Sequence, residues 1–413
     1  MTELLSPAGN PEKLRAAFLY GADAVYFAGE RFGMRAAADN FTLPEIEEAS
    51  AYAHERGRKL YITLNTMPRE DEYAPLADFL RELKALGDMP DAAIVADIGV
   101  MDMIQKIIPD MEIHISTQAN VMNAPTALHL HRAVGAERIV LSRELSMEDI
   151  RGMRALLPPE LELEAFVHGA MCVAYSGRCL LSNALVGRSG NRGACAQPCR
   201  WQYHLMEEKR PGEYLPVCEG DRGTYLYSAY DLCMLPHLPE LRDAGVISLK
   251  IEGRMKTAYY VASVVSVYRR ALDLLELEGE EAFRRAVPDL MRELNKASHR
   301  QSNTGFYFGA PQPAAGAEGF SQTMEYVGDV LEAAVPDEPA LIRLKNRFYV
   351  GDELEALTPT GSHPFTVGSM VLAETGESIQ TASVAGTLLK LRFPFPVAPG
   401  DLLRGPNRNH QQG

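Results

Sequence analysis

Residues 161–201 read LELEAFVHGAMCVAYSGRCLLSNALVGRSGNRGACAQPCRW. The first seven, Leu161–Val167, form a short buried-looking run of the kind that makes a β-strand. That run leads straight into Cys172, and three more cysteines follow: Cys179, Cys195 and Cys199, with six, fifteen and three residues between them. A free cysteine is ordinarily a small buried apolar residue. Four within 28 residues, flanked by Gly and Arg rather than by apolar periodicity, point instead to a thiolate-ligated metal or iron–sulfur site.

Outward from this stretch, one unit repeats: an apolar run, a tip rich in Gly, Ser, Asn or Arg, and a helix-period segment. The other strand candidates are Leu4–Ser6, Ala24–Ala28, Leu60–Asn65, Ala92–Asp97, Glu112–Thr117, Arg138–Ser142 and Ser248–Glu252. None is followed by a hairpin turn, which marks parallel strands joined by crossovers. Helical periodicity fills the intervals Pro11–Tyr20, Leu43–Arg56, Tyr73–Leu86, Gly99–Ile108, Pro125–Val134 and Met147–Leu156. Eight such units in about 255 residues predict an α/β fold, a (β/α)8 TIM-type barrel. A doubly wound open sheet is the alternative, weakened by the lack of a dinucleotide fingerprint or Walker loop.

One connection is oversized. Between Cys172 and Ser248 lie 75 residues, 173–247, with the remaining cysteines and the only tryptophan, Trp201. Insertions of this length in a compact domain are usually functional or disordered, and this composition favours function. The barrel domain is expected over 1–308, with two helices, Thr257–Glu278 and Glu281–Ser298, after its last strand. A Pro/Ala/Gly-rich linker follows at 309–319. Residues 320–413 turn strand-rich, at Tyr326–Ala333, Ala340–Leu344, Glu353–Leu357, Phe365–Val371 and Leu388–Phe393, and predict a small β-barrel-like C-terminal domain.

A chain of 413 residues, 46% hydrophobic and 23% charged, is an ordinary globular protein. No apolar run is long enough to cross a bilayer. The opening MTELLSPAGN has neither the basic nor the apolar region of an export signal, so a cytoplasmic location with reduced cysteines is expected. The net charge of −14 argues against bulk attraction to nucleic acid. Between Val173 and Arg210, however, six basic residues face two acidic ones, a local excess of +4 that coincides with the cysteines.

In such a barrel, chemistry gathers at the C-terminal strand ends. Those ends carry Asn65, Asp97, Gln118, Arg143, His168, Cys172, Lys250, Glu252 and Arg254, and an early tip adds Arg35. Guanidinium forks among them suit carboxylates or phosphates. His168, Asp97 and Glu252 are the candidates for moving protons. Structural zinc favours two closely spaced cysteine pairs, and only Cys195 and Cys199 have that spacing. The wide first gap and a cysteine at a strand end suit an iron–sulfur cluster beside the site. His168 and Cys172 share a face four residues apart, but no hydrolase signature accompanies them.

The segments ELLSPAGN, YGADAVYFAG, IHISTQAN, VLSRELS, FVHGAMCVAYSGRCLLSN, NRGACAQPCRW, SLKIEGRMK and RLKNRFYVGDELEALTPTG closely resemble the collagenase-like "peptidase" family of unassigned catalytic type. Within that family they are most similar to the prephenate-dependent tRNA uridine hydroxylation proteins. The resemblance spans nearly the whole chain. It implies an enzyme that forms 5-hydroxyuridine at the tRNA wobble position without molecular oxygen, with prephenate as cosubstrate. It also implies a [4Fe-4S] cluster held by Cys172, Cys179, Cys195 and Cys199, with downstream Cys218 or Cys233 as the alternative fourth ligand. On this reading Arg35, Asn65, Gln118, Arg143, Lys250 and Arg254 surround substrate and prephenate. Trp201 and the basic loop meet the tRNA anticodon loop, by stacking and phosphate pairing. A partner subunit or homo-oligomer is compatible with it. Other readings are a collagenase-like peptidase using Cys or metal, hydroxylation of another RNA or a quinone-type substrate, and a non-catalytic RNA-binding partner.

Overall fold

A parallel strand covered on both faces needs apolar side chains throughout, and the eight runs meet that demand: every residue of AVYF at 24–27 and of AAIV at 92–95 is buried. The structure, a computed structural model, describes residues 2–33, 40–172, 175–177, 179, 181–190, 193–201, 204–205, 215–216, 230–309 and 321–408. The barrel strands are β1 Glu3–Pro7, β2 Ala24–Phe27, β3 Lys59–Leu64, β4 Ala92–Val95, β5 Glu112–Ile115, β6 Ala136–Val140, β7 Glu162–Ala170 and β8 Ser248–Ile251. Each pairs in parallel with the next. β8 pairs with both β7 and β1, so the sheet closes on itself and the open doubly wound alternative falls.

Helices α1 Pro11–Leu19, α2 Leu43–His54, α3 Glu70–Lys84, α4 Ile98–Ile107, α5 Ala124–Val134 and α6 Met147–Leu156 alternate with the strands. Side-chain caps fix several of their starts. Thr42 and Glu45 form a reciprocal capping box, as do Ser146 and Asp149. Asn123 accepts from the Thr126 amide at 2.9 Å, and Asp97 from the Val100 amide at 3.1 Å. The long insertion contributes α7 Leu181–Val186 and α8 Leu238–Asp243.

β7 runs three residues past its expected end at Val167. The short strand Asp231–Cys233 explains this, because it pairs antiparallel with the tip of β7, Cys233 opposite His168 and Asp231 opposite Ala170. The backbone groups of the extension thus find partners that residues 161–172 alone do not reveal.

The barrel interior is charged. Arg138 on β6 reaches Glu3 on β1 (2.6 Å) and both Glu162 (2.7 Å) and Glu164 (3.2 Å) on β7. Lys250 on β8 donates to Glu164 at 2.6 Å, Ser248 donates to Glu3 at 2.6 Å, and Tyr61 on β3 donates to Glu3 at 2.7 Å. β1, β3 and β6 are not neighbours, so these contacts cross the inside of the barrel, where branched aliphatic side chains are usual. Burial pushes the Glu164 carboxyl up, but Lys250 and Arg138 more than offset it and hold it below the usual carboxylate range.

The chain divides into two compact units: residues 1–14, 22–256 and 300–319, and residues 15–21, 257–299 and 320–413. Helices α9 Ala258–Asp273 and α10 Glu280–Leu294, expected with the barrel at 1–308, thus group with the β-rich C-terminal part. Of the expected linker 309–319, residues 310–319 lie outside the described residues. Strands Met324–Val330, Pro339–Leu344, Glu353–Thr358, Gly361–Thr366, Met370–Leu372, Leu388–Arg392 and Leu402–Pro406 form one antiparallel sheet in the second unit. Phe348, Phe365, Phe393 and Leu391 are among its core. The expected strand Phe365–Val371 is in fact the end of one strand and the start of another. The last strand, with Gly405 and Pro406 in it, was not expected. Arg404 is fully buried there, donating to Glu355 at 2.6 Å, to Ser362 at 2.7 Å, and to Glu293. Burial pushes the Glu293 carboxyl up, but Arg404 and Lys296 together bring it down to about 2.

Two measurements check these networks. Lys250→Met strands the Glu164 charge inside the barrel and should cost about 3–5 kcal/mol. The double change Lys250→Met with Glu164→Leu should recover part of that loss, read as the midpoint of chemical unfolding. Glu293 titrates lower when folded than its unfolded value of 4.5. Its contribution is therefore complete above pH 4.5 and lost as the pH falls from there towards 2. Glu293→Gln should flatten stability against pH across that window while lowering stability at neutral pH.

Candidate active site

The C-terminal strand ends and the cysteine loop enclose one cavity of about 230 Å³. Its lining includes Tyr26 of β2, Thr63 and Asn65 from the end of β3, and Ser116, Thr117 and Gln118 after β5. Arg143 and Glu144 follow β6. Phe166, Met171 and Cys172 come from β7 and its extension, and Lys250, Glu252, Arg254 and Met255 from β8 and beyond. Cys179, Cys195 and Cys199 line the same cavity, so all four clustered cysteines meet the strand ends in one place.

Short-range contacts hold the loop there. The Ser176 amide donates to Glu144 at 2.9 Å, and Thr117 Oγ1 lies 3.3 Å from Ser176 Oγ. Gly177 sits at φ +70°, and a Cβ on it would come within 2.2 Å of the Gln118 carbonyl oxygen. Only glycine allows both that backbone conformation and that approach. At the junction of β7 and β8, Gly169 (φ +104°) plays the same part: a Cβ there would meet the Glu252 carbonyl oxygen at 2.4 Å. The Glu252 amide donates to the His168 carbonyl at 2.8 Å. The two strand tips are therefore locked together where Glu252 emerges.

The cations expected to receive an anionic ligand make contacts within the protein. Arg143 donates to the Ala170 carbonyl at 2.8 Å, stacks over Phe166 at 3.9 Å and lies 3.9 Å from Glu252. It braces the end of β7 while facing the cavity. Arg254 is buried and donates to Thr63 Oγ1 at 3.2 Å. Lys250 is committed to Glu164, with its ammonium 4.4 Å from the centre of the Tyr26 ring. The Tyr26 hydroxyl lies 3.3 Å from Glu252 Oε2.

Asn65, Gln118, Arg143, Lys250, Glu252, Arg254 and the four cysteines thus come together. Three of the expected site residues do not line the cavity. Asp97 caps α4 and accepts from the Tyr73 hydroxyl at 2.7 Å, and an Asp directly before a helix was a readable sign of that role. His168 is buried in β7. Trp201 is exposed outside the cavity. Arg35 and Cys218 lie outside the described residues, and so do Arg178, Arg192, Lys209 and Arg210 of the +4 loop. Sequence reasoning missed Tyr175 and Met255, both cavity-lining, and Ser176, whose amide anchors the loop on Glu144. Tyr175 had a signal: it is the one aromatic residue between the first two cysteines.

The four cysteines form no disulfide; Cys172 and Cys195 are exposed, Cys179 and Cys199 half-buried. The Gln197 amide donates to the Cys195 sulfur at 3.3 Å. Among the described residues, no three His, Cys, Asp or Glu side chains close around a single ion position. A cubane cluster asks for something else, one thiolate for each of four irons, reached from the walls of a cavity. Four cysteines that line one cavity, with the Cys195 sulfur accepting an amide hydrogen bond, fit that demand. Cys233 is buried beside β7 and does not line the cavity.

Gly177→Ala should dislodge the loop and leave the barrel intact. Hydrogen exchange should rise across residues 175–201 while the strands keep their protection. Unchanged exchange in the loop would contradict this anchoring.

The family model for peptidase family U32 matches residues 9–316, and the model for the peptidase family U32 C-terminal domain matches residues 322–404. The chain is 36% identical over 406 residues to tRNA hydroxylation protein P1 of Bacillus subtilis, covering 97% of this chain and 94% of that protein. It is 35% identical over 443 residues to tRNA hydroxylation protein P of Escherichia coli, covering 97% and 92%. It is also 34% identical over 281 residues to a protein named Collagenase from Porphyromonas gingivalis, covering 66% and 65%. Matched from the first strand ends through the cysteine loop to the C-terminal sheet, the chain belongs to peptidase family U32.

Proposed function

We propose that this protein is a tRNA-modifying enzyme that hydroxylates the wobble uridine to 5-hydroxyuridine, independently of molecular oxygen. Prephenate is its cosubstrate and a [4Fe-4S] cluster its cofactor. The observation that carries the reading is the meeting of all four cysteines with the polar strand ends around one cavity. Two near-full-length relatives bear the name tRNA hydroxylation protein, which supports RNA as the substrate.

Cys172, Cys179, Cys195 and Cys199 would hold the cluster, and Cys233, buried beside β7, is the weaker candidate for the fourth position. Bound there, the cluster supplies one-electron transfer and an electron-accepting metal face next to the substrate. The residues of the chain do the positioning. Arg143 and Arg254 offer positive charge to a carboxylate, and their contacts with Ala170 and Thr63 keep both guanidinium groups in fixed orientations. Gln118 and Asn65 present amide groups, each a donor and an acceptor, to the edge of a base. Glu252 is the one expected proton carrier that lines the cavity, beside the Tyr26 hydroxyl. A peptidase reading finds less support, since His168 does not line the cavity that contains Cys172.

Anaerobic purification should give a brown protein with about four irons and four sulfides per chain. Cys199→Ser should lower that iron content sharply, and Cys233→Ser should leave it close to wild type. A colourless protein holding stoichiometric zinc would refute the cofactor assignment. For the substrate, deletion of the gene in a strain with no parallel pathway should remove 5-hydroxyuridine from the tRNA, measured by nucleoside mass spectrometry.

A further inference from the structure

Two large side chains line the cavity while staying open to water: Tyr175 is 58% exposed and Met255 is 45% exposed. They belong to different sectors of the rim. Met255 follows β8. Tyr175 sits on the loop that returns over the ends of β5 and β6, where its neighbours Ser176 and Gly177 are fixed against Glu144 and Gln118. An aromatic ring this exposed gains little from burial, yet the backbone beside it is held by two hydrogen-bonded or close-packed contacts. Trp201, 45% exposed, does not line the cavity.

Chemistry on a base in an RNA loop requires that base to leave its stack, and an aromatic face in the enzyme replaces the stacking that is lost. A cavity of about 230 Å³ admits a planar ring of pyrimidine size. We propose that Tyr175 stacks on the face of a pyrimidine drawn out of the RNA loop into this cavity, with Met255 packing against the base from the β8 side of the mouth. This rests on the RNA-modifying reading above and adds the groups that seat the base. Tyr175 and Met255 are positioning residues, and the stacking role expected of Trp201 moves to Tyr175.

The test uses the full chain, purified anaerobically, and two fluorescently labelled anticodon stem-loop RNAs. One carries uridine at the first anticodon position and the other an abasic site there. Wild type should bind the uridine RNA about tenfold to a hundredfold more tightly, the range expected for one base stacked on one aromatic side chain. Tyr175→Leu should bind both RNAs alike, at the abasic level, and Tyr175→Phe should restore the preference. Met255→Ala should reduce it by a smaller factor. Retention of the full preference by Tyr175→Leu would overturn the proposal. So would an equal loss on both RNAs, which marks a structural role. Tight but equal binding of both RNAs by wild type would sink the stacking seat and leave the RNA reading standing. If neither RNA binds, that reading falls and this inference with it.

Discussion

Glu164 is a carboxylate shut away from water inside a barrel, where Lys250 and Arg138 hold it as an ion against the cost of burial. The three residues sit on β7, β8 and β6, so satisfying one charge fixes the relative register of three strands. A shift by one residue would turn Glu164 to the other face of its strand, taking from Lys250 the carboxylate it donates to and leaving Arg138 to Glu3 on β1. Such a network is weak support for stability, because the cost of removing charges from water offsets much of the attraction. Its value lies in register. With β6, β7 and β8 fixed, their ends deliver Arg143, Cys172, Glu252 and Arg254 to one mouth.

The loop after β7 then has a defined floor to settle on. Gly177 against the Gln118 carbonyl and Ser176 against Glu144 bring the cysteine segment back over the ends of β5 and β6. One surface thus collects thiols, cations and amides, each supplied by a different strand end. In the proposed reaction these become, respectively, cluster ligands, anchors for an acid cosubstrate and contacts for a base. The exposed rim residues Tyr175 and Met255 complete the seat.

Much of this was legible in the sequence. The eight apolar runs and their helical intervals specify the barrel because parallel strands buried on both faces leave a continuous apolar signature. The cysteine cluster, its strand-end position and the cations near it were equally visible. What escaped was information held by distant partners. β7 extends to Ala170 because residues 231–233 pair with it. Lys250 reads as a ligand-facing cation until Glu164 is found beside it on the neighbouring strand β7. Asp97 reads as a strand-end carboxylate, although it is spent on a helix cap. Tyr175 was hidden by its own neighbours, since a tyrosine among cysteines draws less notice than the only tryptophan in the chain.

The central claim is that a cluster on the four cysteines and the target base share this one cavity. Electron–nuclear double resonance on the reduced, anaerobic protein tests it most directly, with a bound stem-loop RNA carrying carbon-13 at C5 of the first anticodon uridine. The account predicts a resolved carbon-13 hyperfine coupling that disappears when the label is moved to a base in the stem. A reduced cluster with the RNA fully bound and no coupling from the C5 label would contradict it.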